Sequence, residues 1–205
     1  MNSHKGLLLV TMEPPAALEE EFNDWYDTEH FPQRSAVPGF ETASRWTCVD
    51  GWPRWLAIYD LVSPAVLETE AYRAVSGPRS TPWSQRILPR TMGRMRVVAE
   101  QIAPGDELAI APSRSSRLLV ARYPAIAPAD AEESVKGITS IFQACNSVIQ
   151  ARIFKSMRGS AIDLWALVAF GRPVSAEPLA SSAGYLDDSR GADVFNLYVP
   201  YFRQQ

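Results

Sequence analysis

One predicted helix carries most of the side chains that could do acid–base chemistry. The chain has two histidines, and His4 lies in an N-terminal stretch that we expect to be inert. His30 follows Tyr26 by one helical turn, so its imidazole should lie beside the Tyr26 ring. Imidazole titrates near neutral pH, where proton transfer to and from a substrate is most efficient. We therefore predict that His30 is the general acid or base, and that Tyr26 and Glu29 orient it or bind substrate.

The position of His30 in this helix sets its expected charge. Pro32 predicts that the helix ends soon after His30, and the partial negative charge of a helix C-terminus favours a protonated imidazole. We therefore expect His30 to have a pKa near neutrality. Glu29 falls close to the apolar face of the helix, where a carboxylate must be paired or neutral. An arginine such as Arg34 or Arg45 would satisfy it.

Other side chains could line a ligand pocket beside this helix. The candidate substrate-binding residues are one helical and three strand side chains: Trp25, Arg45, Tyr59 and Thr11. Tryptophans at positions 46, 52, 55 and 83 suit a flat apolar ligand. The competing interpretation is structural, because aromatic residues at helical spacing usually pack in a core and a histidine near a helix end is often a cap. The arginines from Arg79 to Arg96 are expected to form a solvated rim rather than an anion site.

Composition and missing motifs exclude several classes of protein. A net charge of −3 and a pI near 5.5 do not fit a nucleic-acid-binding face, and no stretch is apolar for long enough to span a membrane. The sequence has no Gly-rich phosphate loop and no HExxH, CxxC or GxSxG motif. Cys48 and Cys145 indicate neither a disulfide framework nor a zinc site. We therefore expect a cytoplasmic protein without metal or cofactor; a haem ligated by His30 is allowed, but no pattern favours it.

The order of the predicted elements repeats along the chain. In the first half, the pattern predicts strands and helices over residues 7–12 (strand), 16–30 (helix), 40–49 and 54–62 (strands), 63–75 and 83–88 (helices) and 94–102 (strand). In the second half, it predicts them over residues 117–123 (strand), 128–144 (helix), 148–155 and 161–170 (strands), 175–182 (helix) and 194–202 (strand). Both halves follow the β-α-β-β-α-β order of a ferredoxin-like domain.

The strands also indicate how the halves are joined. Residues 55–62 and 164–170 carry apolar side chains on both faces, which is typical of sheets covered on both sides. We therefore predict an α+β fold with two tandem ferredoxin-like halves packed sheet to sheet. The N-terminal half, residues 1–104, carries the candidate site, and the C-terminal half, residues 115–205, is expected to be structural.

The segment FNDWYDTEHFPQRSAVPGF, residues 22–40, resembles the first helix of dimeric α/β-barrel proteins. It is most similar to EthD-like proteins, in which a W/Y-x(2-3)-H-x-P segment precedes a Pro-Gly turn. The resemblance covers residues 6–102, and the second half matches in element order only. In such families two ferredoxin-like units, from two chains or fused in tandem, form the barrel. The resemblance implies metabolism of small molecules, often aromatic or polyketide-like, usually without a bound cofactor.

Three functions remain open from the sequence. The first is a cofactor-independent enzyme that acts by acid/base chemistry on a small aromatic or cyclic catabolic intermediate, as an isomerase, cyclase, lyase or oxygenase. The second is a non-catalytic small-molecule-binding accessory protein of a degradation pathway. The third is a structural protein whose aromatic residues only pack. The expected partner is a small molecule, not nucleic acid or a membrane, and a homodimer is allowed.

Overall fold

A computed structural model describes residues 4–187 and 190–203 of the chain. The strands are β1 (Gly6–Glu13), β2 (Phe40–Asp50), β3 (Trp55–Leu61), β4 (Met92–Ala103), β5 (Arg117–Ile126), β6 (Val148–Arg158), β7 (Ala161–Phe170), β8 (Tyr185–Asp187), β9 (Arg190–Gly191) and β10 (Val194–Pro200). The α-helices are α1 (Glu19–Trp25), α2 (Phe31–Ser35), α3 (Glu70–Arg73), α4 (Pro82–Ile87), α5 (Ala131–Gln143) and α6 (Ala176–Ala183). Among the described residues, no helix has the length and apolar character needed to cross a membrane.

Eight of the strands form one closed barrel, in the order β1-β3-β2-β10-β5-β7-β6-β4. The strands of residues 6–103 lie together as β4-β1-β3-β2, and those of residues 117–200 lie together as β10-β5-β7-β6. Two antiparallel seams, β2 with β10 and β4 with β6, join the two sets. The two sheets were predicted to pack face to face as a dimeric α/β-barrel type unit, without a prediction of which edges pair. The structure also joins their edges, because paired edges satisfy backbone groups that an open sheet leaves unbonded.

Apolar residues fill the inside of the barrel and also cover its outer wall. On β1, Leu7 and Leu9 point into the interior, where they pack with residues of both halves such as Trp165. The alternate residue Leu8 points outward and packs under α1 with Trp25. An outer cluster of the second half packs under α5 and α6 in the same way. The period of two along each strand produces both layers, which explains why the strands are apolar on both faces.

A buried ion pair joins the two halves inside the barrel. Arg152 on β6 donates from Nη1 to Asp60 Oδ1 on β3 at 2.7 Å, and their side chains are 3% and 2% exposed. The other carboxylate oxygen, Asp60 Oδ2, accepts from the Thr42 hydroxyl at 2.7 Å and from the Ala109 N–H at 2.6 Å. The Ala109 contact ties the segment between β4 and β5 to the barrel. Every oxygen of this carboxylate therefore has a partner, as a buried charge requires.

The first helical segment was predicted to end soon after His30, but in the structure it continues past Pro32. After α1, a π-helical turn runs over Tyr26–His30, and the Phe31 N–H donates to the Tyr26 carbonyl five residues back. Helix α2 then continues to Ser35, with Pro32 in its first turn. The wide π-helical turn lies just before the proline and leaves room for its ring. Pro32 itself lies in the first turn of α2, where a helix tolerates a missing N–H.

One other predicted helix differs in the structure, and one small element was missed. The helix expected over residues 63–75 is interrupted at Thr69, which is extended at ψ 154° and caps α3 by accepting the Tyr72 N–H. A 3₁₀ turn, Pro64–Glu68, replaces its first part, and Ser63 makes no capping hydrogen bond. The small β8–β9 hairpin between α6 and β10 was not predicted.

Candidate functional site

A cavity of about 330 Å³ lies on the outer wall of the barrel, between β1, β3 and β4 and the helical segment from α1 to α2. The outward-facing side chains of β1 form its apolar floor: Leu8, Val10 and Met12. Three tyrosines line its walls: Tyr26, Tyr59 and Tyr72. Its nitrogen-bearing side chains are His30, Arg34, Arg94 and Arg96. An apolar floor with a few convergent polar groups is typical of a small-molecule site.

The π-helical turn places His30 at this cavity. The imidazole is 8% exposed and packs on the Trp25 ring, with the ring centroids 4.4 Å apart. Its Nδ1 is fully buried and has no hydrogen-bond partner among the described residues. Since His30 lines the cavity and Nε2 is not among the fully buried atoms without a partner, Nε2 is the ring nitrogen that we assign to ligand contact. Local π-helical turns often occur at functional sites, and here the turn sets the orientation of the histidine.

The expectation of a near-neutral pKa for His30 is wrong. Burial of the ring, and to a smaller extent the nearby guanidinium groups of Arg34 and Arg45, together lower its pKa to about 3. The helix also continues past His30, so the imidazole does not lie at a helix C-terminus. At neutral pH His30 is therefore an uncharged imidazole, which can accept a proton but has no extra proton to give.

Two buried tyrosines lie beside His30. Burial raises the pKa of Tyr26, with partial opposition from Arg45, and burial followed by the neighbouring Tyr26 raises the pKa of Tyr59. The two hydroxyls are close enough to affect each other's pKa, yet the Tyr59 hydroxyl has no partner in hydrogen-bond geometry within the described part of the chain. Both phenols are therefore protonated at neutral pH and available as hydrogen-bond donors.

Three arginines give the cavity a positive charge. Arg34 is 6% exposed, donates from Nη1 to the Val75 carbonyl at 2.5 Å, and lies 5.5 Å from the centroid of the Tyr72 ring. Arg94 and Arg96 are exposed at the rim. No aspartate or glutamate of the described residues lines the cavity. The site is therefore suited to an anion or to a group that becomes anionic.

Of the seven predicted site residues, the structure brings three to the cavity: His30, Tyr26 and Tyr59. Trp25 and Arg45 lie one layer behind them. Arg45 is 4.3 Å from the centroid of the Tyr26 ring and binds the Asp27 carboxylate and the Asn23 amide oxygen, so its guanidinium is already partnered.

The two remaining predicted residues point elsewhere. Glu29 was predicted to pair with Arg34 or Arg45. In the structure it accepts a hydrogen bond from the Thr81 hydroxyl instead. Thr11 is 1% exposed and its hydroxyl donates to the Gly93 carbonyl at 3.2 Å. Its alternate neighbours on β1 face the cavity, so Thr11 faces the barrel interior.

The sequence analysis assigned no cavity role to Arg34, Tyr72 or the β1 floor. Arg34 could have been found, because it follows His30 by four residues and so lies on the same side of a helix. Tyr72 could not have been found, because its position depends on the break at Thr69. The four tryptophans predicted to suit a flat ligand do not line the cavity. Trp46 packs inside the barrel, Trp55 and Trp83 pack around α1 and α4, and Trp52 is exposed.

No protein-family model matches the sequence, and no curated protein matches it. Solved structures do match. An anthrone oxidase-like protein is 11% identical with a TM-score of 0.67, over 98% of this chain and 92% of that chain. A protein provisionally assigned as a chlorite dismutase is 10% identical with a TM-score of 0.63, over 98% of this chain and 96% of that chain. A haem-binding protein from Thermus thermophilus is 10% identical with a TM-score of 0.56, over 97% of this chain and 92% of that chain.

At these identities the likeness defines the fold alone. The chain shares an α+β fold with these proteins, and in this chain the sheet is a closed barrel of eight strands. The predicted α+β fold class is therefore confirmed.

One of these solved structures is a haem-binding protein, and a haem held by His30 would require the surroundings of a metal-ligating histidine. Such a histidine almost always donates its other ring N–H to a carboxylate, a carbonyl or water. His30 Nδ1 has no such protein partner in the described residues, and its ring lies against Trp25 with two guanidinium groups nearby. These surroundings do not fit a haem ligand. Within residues 4–187 and 190–203, no group of three or more His, Cys, Asp or Glu side chains could hold a metal ion.

Proposed function

We propose that the chain is a cofactor-independent enzyme in which neutral His30 takes a proton from a small aromatic or cyclic substrate. One observation carries this proposal. A buried, uncharged imidazole faces a cavity with an apolar floor, several cationic groups and no carboxylate among the described lining residues. An uncharged imidazole is a proton acceptor, and the cations can stabilise the negative charge that remains on the substrate.

The proton transfer conserves charge within the cavity. An acidic O–H or C–H bond of the substrate breaks, its proton goes to Nε2 of His30, and the electron pair stays on the substrate as a phenolate or enolate. The low pKa of His30 arises mainly from burial and secondly from the guanidinium groups, and it applies to an imidazolium without a counter-anion. In the reaction, the anion forms beside the imidazolium, and their attraction acts against both effects. The Tyr26 and Tyr59 hydroxyls can donate hydrogen bonds to the new anion.

Such an anion can lead to several reaction types. A phenolate or enolate precedes isomerisation, cyclisation or elimination, and an electron-rich anion of this kind can also react with dioxygen. The fold shared with an anthrone oxidase-like protein supports an oxidative reaction on an aromatic ring. Since a fold hosts many reactions, the choice among these types depends on the substrate.

We also propose that the chain is EthD-like and consists of two ferredoxin-like halves, residues 1–104 and 115–205. The identical strand order of the two sets around the barrel supports the two halves. All the described lining residues of the cavity belong to the first half, which supports a structural role for the second.

Replacing His30 with Gln tests the proposed reaction. A panel of phenols, aromatic acids and lactones is incubated with the wild type, and product formation and oxygen uptake are followed. We expect the His30→Gln variant to bind the active compound but not to turn it over, because glutamine has a similar polarity but cannot accept the proton. The matched control is His4→Gln, which changes an exposed histidine and should have wild-type activity. Full activity in the His30→Gln variant would refute the proposal.

The low pKa of His30 favours a second function, a non-catalytic small-molecule-binding protein. An imidazole with so low a pKa is a weak proton acceptor. In that case compounds of the panel would bind to the wild type and be recovered unchanged, and the His30→Gln variant would differ only in affinity.

A further inference from the structure

Three buried arginines in the described residues differ in how their charge is balanced. Arg152 pairs with Asp60 at 2.7 Å, and Arg45 pairs with Asp27. Arg34 is as buried as Arg45, at 6% exposure, yet in the described part of the chain it has no carboxylate partner: its side chain donates to the Val75 carbonyl and lies over the Tyr72 ring. A buried cation normally has an anionic partner, because its loss of hydration must be offset. The cavity beside Arg34 is therefore the place where an anion is missing.

The rest of the cavity supports a bound anion. Arg94 and Arg96 lie at its rim, and neither makes an ion pair among the described residues. Like charges around an opening attract oppositely charged ligands and raise their association rate. The arginines at positions 79 and 86, which the sequence grouped with these two, are instead paired with Glu70 and Glu21.

The shape of the guanidinium group favours a carboxylate as the anion. Nη1 of Arg34 is bonded to the Val75 carbonyl, so its remaining N–H groups can make the paired hydrogen bonds that a guanidinium makes with a carboxylate. The floor formed by Leu8, Val10 and Met12 suits a ring attached to that carboxylate. Arg34 follows His30 by one helical turn, with Cβ atoms about 5–6 Å apart. This separation is suitable for a carboxylate on one side of a ring and a reacting group on another.

We propose that Arg34 binds the carboxylate of an aromatic or cyclic acid, and that the ligand of this cavity is therefore an organic acid rather than a neutral ring compound. The inference rests on the proposed function for the reaction at His30, whereas the binding of the carboxylate depends on Arg34, with support from the rim arginines, and not on His30. A bound carboxylate also offsets the guanidinium charge that acts on His30, so binding should raise the pKa of His30.

The test uses pairs of ligands that differ in charge but not in shape: benzoate with benzamide, and 1-naphthoate with 1-naphthamide. Isothermal titration calorimetry gives the dissociation constants for the wild type, Arg34→Gln and His30→Gln. The matched control is Arg90→Gln, which removes an exposed charge of the same half outside the cavity. We expect the wild type, Arg90→Gln and His30→Gln to prefer the carboxylate by about 10- to 100-fold, as for a hydrogen bond to a charged group. Arg34→Gln should lose most of this preference, and keep only the part that the rim arginines Arg94 and Arg96 supply.

Each result decides between the two proposals. If the wild type binds carboxylate and amide equally, or binds neither, the carboxylate inference is overturned, and a loss of turnover in His30→Gln would still support the proposed function. If the carboxylate preference depends on Arg34 but His30→Gln retains full turnover, the carboxylate inference stands and the proposed function fails. If Arg34→Gln does not fold, Arg34→Lys replaces it. Lysine keeps the charge but lacks the planar guanidinium group that binds both oxygens of a carboxylate. A preference for the carboxylate over the amide that is reduced several-fold in this variant supports the inference, and an undiminished preference overturns it.

Discussion

Replacing Asp60 with Asn would test how strongly the two halves of the barrel depend on their buried ion pair. The Asn side chain keeps the shape of Asp60 but removes its charge, and it leaves the Arg152 guanidinium, 3% exposed, without a counter-charge. Breaking a buried ion pair from one side costs about 3–5 kcal/mol. The expected loss is a large share of the roughly 5–15 kcal/mol by which a domain is stable. The free energy of unfolding in urea, compared between wild type and Asp60→Asn, measures it.

A double variant separates the charge from the packing. Asp60→Asn combined with Arg152→Met removes both charges, so it should lose less stability than the sum of the two single variants. The control is Glu132→Gln, which makes the same chemical change in an exposed helical pair with Lys136 and should unfold like the wild type. The reasoning fails if Asp60→Asn unfolds with a free energy within about 1 kcal/mol of the wild type, far below the cost of an unpaired buried charge. It also fails if the losses of the two single variants simply add.

Three further predictions concern His30 and two glycines. Burial lowers the pKa of His30 from 6.5 to about 3, so at pH 5 the unfolded chain binds a proton there that the folded chain does not. Between pH 7 and pH 5 the wild type should therefore lose about 2 kcal/mol more unfolding free energy than His30→Gln; parallel profiles of urea unfolding against pH would contradict this. Gly6→Ala should destabilise by about 1–3 kcal/mol, because its Cβ would lie 2.7 Å from the Pro64 nitrogen and 2.8 Å from the Ser63 carbonyl carbon; an unchanged urea midpoint would show that the backbone there can move. Gly137→Ala lies in the middle of α5 with no atom within 4 Å of the new Cβ, and it should stabilise by up to about 1 kcal/mol, seen as a higher urea midpoint.

The strands could be predicted from the sequence because their apolar pattern is local. On β3, inward Leu56 and Ile58 alternate with outward Ala57 and Tyr59, and this pattern predicted a sheet covered on both sides. The same pattern does not specify which edges meet. The pairing of Leu197 with Asp50 across the β2–β10 seam joins distant parts of the chain, and local periodicity contains no information about it.

The candidate site could be predicted only where helical spacing determines proximity. Tyr26 and His30 are close in the structure, as four-residue spacing predicts. The face of β1 on which the Thr11 side chain lies could not be predicted. Because β1 is apolar on both sides, the apolar pattern does not distinguish its two faces. The charge of His30 was predicted wrongly because burial of the ring, which depends on tertiary packing, decides it first, and Arg34 and Arg45 add to the effect. The helix also continues past His30, so the expected effect of a helix C-terminus is absent.

The seam between β2 and β10 also has a consequence for how the protein is made. Strand β10 is the last of the barrel along the chain, and it lies between β2 and β5. Until residues 194–200 have left the ribosome, β2 and β5 both have bare edges that can pair with strands of other chains. Contacts between such distant residues form slowly, because a long loop must close first. We therefore expect the yield of refolding to fall steeply with protein concentration, although the finished barrel leaves none of its eight strands with an unpaired edge.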